Sequence, residues 1–317
     1  MRNAIILMFI LIGLILTTAI IVSPQIGAQA ILVPQRITPN TIREHERVYE
    51  RGFFMHPREA KLNTEEVEIT SRSPLPPALP ADSAVKLKGW FTKTQKDTSG
   101  KTLIILHDVG QSKWNLISMA KYYDSLGYNT LLIDQRAHGL STGKFCTYGY
   151  HEKYDVLAMI EYLKKRPDVK SIGILGLSMG AAVAIQAATL DTTIKALVLQ
   201  NPYKDLRSAT QDYGRKTLSV LSDIMYPLVA KTTEKQAKFR FDDIDMIRDI
   251  KKVHIPTLFI LSENDRDVPF ARSNYVYLNA NNPKTLWKVP NAEHFNILHL
   301  SAKSYFAKTD SFFKKHL

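Results

Sequence analysis

Ser178 stands in Gly176-Leu177-Ser178-Met179-Gly180, a G-x-S-x-G string between an apolar run, Ser171–Leu177, and a small-residue helical segment, Met179–Thr189. Strand, tight turn and helix in that order make the string a nucleophile elbow. The turn lifts the serine hydroxyl clear of the sheet. The flanking glycines are needed because a side chain there would collide with the neighbouring strand and helix. The Met179 N–H opens the helix, where it can donate to a developing oxyanion.

A serine nucleophile needs a general base, and the base needs an acid to orient it. Behind an elbow serine these follow in the order Ser, Asp or Glu, His. Asp265 follows the apolar run Thr257–Leu261, and His294 follows the run Thr285–Val289. Asp267 is a rival acid two residues on, and Glu263 a weaker one. A second oxyanion donor belongs in the turn after the third strand, His107-Asp108-Val109-Gly110, where the Val109 N–H is the candidate. The chemistry these residues predict is acyl transfer to water. His294 takes the Ser178 proton, Asp265 fixes the imidazole, and Val109 and Met179 hold the oxyanion. No cofactor and no metal is implied.

These positions require strands that end beside them. Val67–Ser71, Val85–Phe91, Thr102–Leu106, Thr130–Ile133, Ser171–Leu177, Ile194–Gln200, Thr257–Leu261 and Thr285–Val289 read as strands. Trp114–Leu126, Glu152–Lys164, Met179–Thr189, Phe270–Ala280 and Ala302–Lys315 read as helices, with a long helical stretch over about 204–250. The alternation predicts an α/β fold with a mainly parallel sheet of about eight strands and helices on both faces. Ligands in such sheets bind at the carboxyl ends of the strands, where the polar residues above lie. The proline-rich Pro74–Pro80 falls between two strands and reads as an extended hairpin loop.

These motifs together resemble the α/β-hydrolase superfamily, and within it the serine-aminopeptidase-like and monoacylglycerol-lipase-like group, membrane-anchored bacterial members included. The resemblance covers about residues 62–317. Leu87-Lys88-Gly89-Trp90-Phe91 looks like the family's second strand. His107-Asp108-Val109-Gly110 resembles its H-G-x-G turn, and Asp134 to Ser141 its D-x-R-x-H-G-x-S loop. The resemblance implies an α/β-hydrolase fold over 67–317, with a short helical lid at about 204–250 that carries Leu218, Val220, Leu221, Ile224, Met225, Leu228 and Val229. It makes His107 and His138 loop-holding groups, and Arg136 with Asp134 a buried pair. Two residues depart from the pattern. Asp108 replaces a glycine beside the oxyanion hole, where a carboxylate facing the site would oppose a developing negative charge, so it is expected to point away. Ser262 replaces the glycine that opens the acid loop.

The chain has 317 residues, 45% of them hydrophobic and 23% charged, with 14 Gly and 15 Pro. That composition excludes disorder and a collagen-like chain. Cys146 is the one cysteine, which excludes an intramolecular disulfide and a Cys-rich metal site, and is read as packing. The formal charge of +12 comes without zinc-finger spacing or aromatic RNA-binding signatures, so nucleic acid is not the expected partner. Ala4 to Val22 is a nineteen-residue run without a charge. As a helix it spans about 28 Å, close to the hydrocarbon thickness of a bilayer. Pro24 is expected to end that helix, leaving 1–30 outside the globular fold as an anchor or, if cut after Ala28-Gln29-Ala30, a signal peptide. Residues 31–66 read as a connecting segment, with a short charged helix at Thr41–Arg51. The expected protein is a single-pass membrane serine hydrolase with an extracytoplasmic catalytic domain, or a secreted one after cleavage. Its expected substrate is a small acyl ester or lipid. An aminopeptidase or amidase on the same residues, or a tethered binding protein of weak activity, is the alternative.

Overall fold

A computed structural model describes residues 22–41 and 54–317, save positions 78, 80, 81 and 98 and the side chains of 218, 220 and 221. The expected anchor run lies outside the described residues apart from Val22, as does the expected helix at 41–51 apart from Thr41. Among the described residues no helix is long and apolar enough to cross a membrane.

Eight strands form one sheet: β1 (Thr64–Ser71), β2 (Val85–Thr92), β3 (Lys101–Leu106), β4 (Asn129–Ile133), β5 (Ser171–Leu177), β6 (Ile194–Gln200), β7 (Thr257–Ser262) and β8 (Lys284–Val289). Their order is β1-β2-β4-β3-β5-β6-β7-β8. β2 runs antiparallel to both neighbours and every other pairing is parallel. β1 and β2 thus form the hairpin expected around the proline-rich loop. Ile104, Leu106, Ile174 and Leu199 belong to one apolar layer, and Leu103, Ile105, Leu175 and Val198 to another. A sheet covered on both faces needs strands that are apolar throughout, which is why β3 to β7 carry continuous apolar runs.

The helices are α1 (residues 22–32), α2 (Ile117–Ser125), α3 (Glu152–Lys164), α4 (Met179–Ala188), α5 (Leu206–Leu218), α6 (Val220–Ala237), α7 (Met246–Ile250), α8 (Phe270–Asn279) and α9 (Ile297–His316). The helix expected at 114–126 opens as a 3-10 turn, Lys113–Leu116, before becoming α. The last helix begins five residues earlier than expected, at Ile297, and bends at Ser301, whose φ of −144° is not helical. α5, α6 and α7 fill the expected lid region.

The described residues are helical from 22 to 32, with Pro24 in the first described turn, where proline is tolerated. The described residues of this helix do not stand apart from the body. Ala28 and Leu32 are fully buried, and the Leu32 carbonyl accepts the Cys146 N–H at 2.8 Å. A side chain at Gly27 would strike Val229 of α6, so α1 lies against the lid. Farther on, the Arg36 guanidinium donates to the carbonyls of Gly139, Ser141 and Gly143 at 3.1, 2.5 and 2.6 Å. Residues 32–36 are therefore docked on the loop that follows β4.

Candidate active site

β5 delivers Ser178 at the start of α4. Its backbone sits at φ 51°, ψ −106°, a conformation that L-residues rarely adopt. Local packing enforces it. A Cβ at Gly176 would lie 2.4 Å from the Gly180 carbonyl oxygen, and one at Gly180 2.3 Å from the Leu106 carbonyl oxygen. Both elbow glycines are thus required by close backbone approach, as the sequence implied.

His294 follows β8 and Asp265 follows β7, and the sheet order brings both to the same edge as Ser178. His294 Nε2 lies 2.9 Å from Ser178 Oγ, and His294 Nδ1 lies 2.6 Å from Asp265 Oδ2. The second Asp265 oxygen accepts the N–H groups of Asp267 and Val268 at 2.8 Å each, so the turn itself aims the carboxylate. Neither rival acid takes this place. Asp267 pairs with Lys216 of the lid, and Glu263 is exposed.

Asp108 does not point away. Its Oδ1 accepts the Val109 N–H at 2.6 Å and the Met179 N–H at 3.1 Å, and its Oδ2 lies 3.3 Å from His294 Nε2. The two donors expected to hold an oxyanion do converge, and they converge on this carboxylate. The reason is electrostatic. Two N–H groups, one of them at the N-terminus of α4, form an anion site, and Asp108 is the anion tethered nearest to it. Burial opposes the charge on Asp108, yet His294, the Met179 N–H and Ser178 together hold its pKa below the usual carboxylate range. Burial also opposes a charge on His294. Hydrogen bonds and charge from Asp108 and Asp265 outweigh it and raise the imidazole to about 10. His294 and Asp108 therefore form a buried ion pair.

Surrounding side chains fix these loops. His107 Nε2 accepts the Gln135 N–H at 3.0 Å, and His138 Nδ1 lies 2.8 Å from the Arg136 carbonyl. Burial pushes both imidazoles down to about 4, so both are neutral supports. The expected Arg136–Asp134 pair does not form. Arg136 makes a two-pronged bond to Asp155 of α3 at 2.7 and 2.6 Å, and Asp134 pairs with Lys113. Each partner comes from an element that the loop's own sequence does not contain. Cys146 is buried, with its Sγ 3.5 Å from Met179 Sδ behind the elbow.

Asn201 was not singled out by sequence. It follows β6 at a φ of 46°, its side chain accepts the Ser262 N–H at 2.9 Å, and its amide donates to Ser262 Oγ and to the His294 carbonyl at 3.0 and 3.4 Å. Ser262 Oγ in turn donates to the Glu293 carbonyl at 2.9 Å, so it links the acid and histidine loops. The signal for Asn201 was present, because it is the polar residue directly after a buried strand. Among the described residues no group of three or more His, Cys, Asp or Glu converges as metal ligands.

Residues 97–252 match the family described as serine aminopeptidase, S33. The fold superposes on the esterase Pf2001 of Pyrococcus furiosus with a TM-score of 0.69 at 25% identity, covering 90% of this chain and 99% of the esterase. The chain has the α/β-hydrolase fold. This hydrolase is 28% identical over 219 residues to the uncharacterized protein YqkD of Bacillus subtilis, a match covering 68% of this chain and 71% of that one. It is 23% identical over 233 residues to lysophosphatidylserine lipase ABHD12 of Xenopus tropicalis, covering 71% of this chain and 57% of the lipase. The family match includes Asp108 and Ser178 and ends before Asp265 and His294.

Proposed function

We propose that this α/β-hydrolase cleaves carboxylic esters through an acyl-enzyme on Ser178, with His294 as general base and Asp265 as its orienting acid. The observation that carries the reading is the continuous chain from Ser178 Oγ through His294 to Asp265, at 2.9 and 2.6 Å. Neutral His294 takes the hydroxyl proton as Ser178 Oγ bonds to the ester carbonyl carbon. The carbonyl oxygen, now negative, takes the Val109 and Met179 N–H groups. Collapse breaks the bond to the leaving alcohol, which receives the proton from His294. Water repeats the sequence on the acyl-enzyme and releases the acid. An oxyanion donor of this kind contributes about 3–4 kcal/mol in the transition state. Asp265 stabilises the imidazolium and fixes its tautomer.

Esters, lipids among them, are favoured as substrates by the likeness to an esterase and to a lysophosphatidylserine lipase. Residues 4–22 act in this reading as a single membrane anchor with the catalytic domain outside the cytoplasm. Exposed Val22 and Ile26 on α1, with exposed Ile224 and Leu228 on the adjoining α6, would then face lipid. The test is hydrolysis of acyl esters of graded chain length beside aminoacyl amides, with Ser178→Ala as the blank. Turnover of esters that vanishes in the blank is expected. Turnover of amides alone would replace this reading with an amidase.

A further inference from the structure

We infer that Asp108 is a built-in occupant of the oxyanion hole, holding the resting site closed until its carboxylate is displaced. The inference rests on the proposed serine-hydrolase reading and concerns control of that same site. The geometry is that of an acid product left in place. One carboxylate oxygen takes both oxyanion donors, at 2.6 and 3.1 Å, and the other faces His294 Nε2 at 3.3 Å. Here the acid is supplied by the chain. A substrate carbonyl needs the same two N–H groups, so substrate and Asp108 exclude each other.

The second consequence concerns the base. Three groups face His294 Nε2 and Nδ1: Asp108 after β3, Ser178 at the elbow and Asp265 after β7. Beside Asp108 lies His107, which burial keeps neutral, and the buried Cys146 and Tyr203 and the half-buried Tyr148 feel the Asp108 charge while desolvation holds their protons on. None of these is a cation, so His294 is the counter-charge for Asp108, while Asp265 also feels Lys216 of the lid, which pairs with Asp267. A protonated His294 cannot accept the Ser178 proton. Burial opposes the charge, but Asp108 and Asp265 together raise the His294 pKa to about 10, so the protonated form dominates at neutral pH. Displacement of Asp108 removes one of the two carboxylates and restores both the hole and the base together.

The experiment compares wild type, Asp108→Gly and Asp108→Asn. The His294 ring is titrated by NMR, and labelling of Ser178 by a fluorophosphonate is timed across pH. Thermal melts confirm that each variant is folded. Wild-type His294 is expected to titrate near pH 10, and both variants below pH 8. Labelling at pH 7 should rise about 100-fold or more in Asp108→Gly. The rise should be smaller in Asp108→Asn, whose amide still fills the hole. A wild-type His294 that titrates near neutrality overturns the inference. So do variants whose His294 midpoint and labelling rate equal those of wild type. If the midpoints move as expected but no protein is labelled, the occupied hole stands and the Ser178 reading fails.

Discussion

The Met179 N–H donates to Asp108 Oδ1 across 3.1 Å, joining the turn after β3 to the first residue of the helix after β5. That contact places a fixed negative charge where the proposed reaction develops a transient one. It also makes the site's own ionisation part of the fold.

A pH dependence of stability follows. Burial lowers the His294 pKa, and Asp108 and Asp265 more than reverse this, raising it to about 10 against an ordinary value of about 6.5. A raised pKa contributes stability that is fully present below about 6.5 and lost as pH rises through about 10. Urea unfolding should therefore show wild type losing stability between pH 7 and 10. Asp108→Gly should lose clearly less over the same window, and an equal loss would contradict the ion pair.

Arg136 and Asp155 are both buried and paired through two hydrogen bonds. Asp155→Ala leaves the guanidinium without its counter-charge and should cost about 3–5 kcal/mol. His138→Ala removes a neutral ring and should cost less. Denaturant midpoints of the two variants check the order.

Asn201 ties Ser262 to the His294 loop. Asn201→Ala leaves the Ser262 N–H unpaired in a buried place, a loss of about 1–3 kcal/mol. It should also lower kcat for ester hydrolysis by about tenfold while leaving KM near wild type, because it loosens the base and not the pocket. A KM effect alone would assign Asn201 to substrate binding.

A chain beginning at Thr41 should be markedly less stable than one beginning at Val22. It lacks Leu32, whose burial contributes about 1.5–3 kcal/mol, and the Arg36 bonds to the carbonyls of the loop after β4. Equal melting temperatures would show the N-terminal segment to be dispensable. The same pair, set beside the full chain on carbonate-washed membranes, tests the anchor. Only the full chain should be retained.

What the sequence made legible was what depends on backbone close approach and burial. Gly176 and Gly180 announce the elbow because nothing larger fits, and the apolar runs before Ser178, Asp265 and His294 announce strand ends. The side-chain choices were not legible. Asp265 and Asp267 are two residues apart, and only the turn's N–H groups and Lys216 decide which faces His294. Asp108 points inward because the distant Met179 N–H meets the Val109 N–H of its own turn beside it, which no local pattern encodes. Asp134 and Arg136 each took a partner from another element.

The most direct measurement of the central claim is the mass and rate of fluorophosphonate labelling at pH 9 for wild type, Ser178→Ala, His294→Ala and His138→Ala at equal folded concentration. The account predicts one adduct on Ser178 in wild type and none in Ser178→Ala. His294→Ala should be slowed by several orders of magnitude, and His138→Ala should stay within about tenfold of wild type. Labelled Ser178→Ala, or a fast His294→Ala beside an inert His138→Ala, would contradict it.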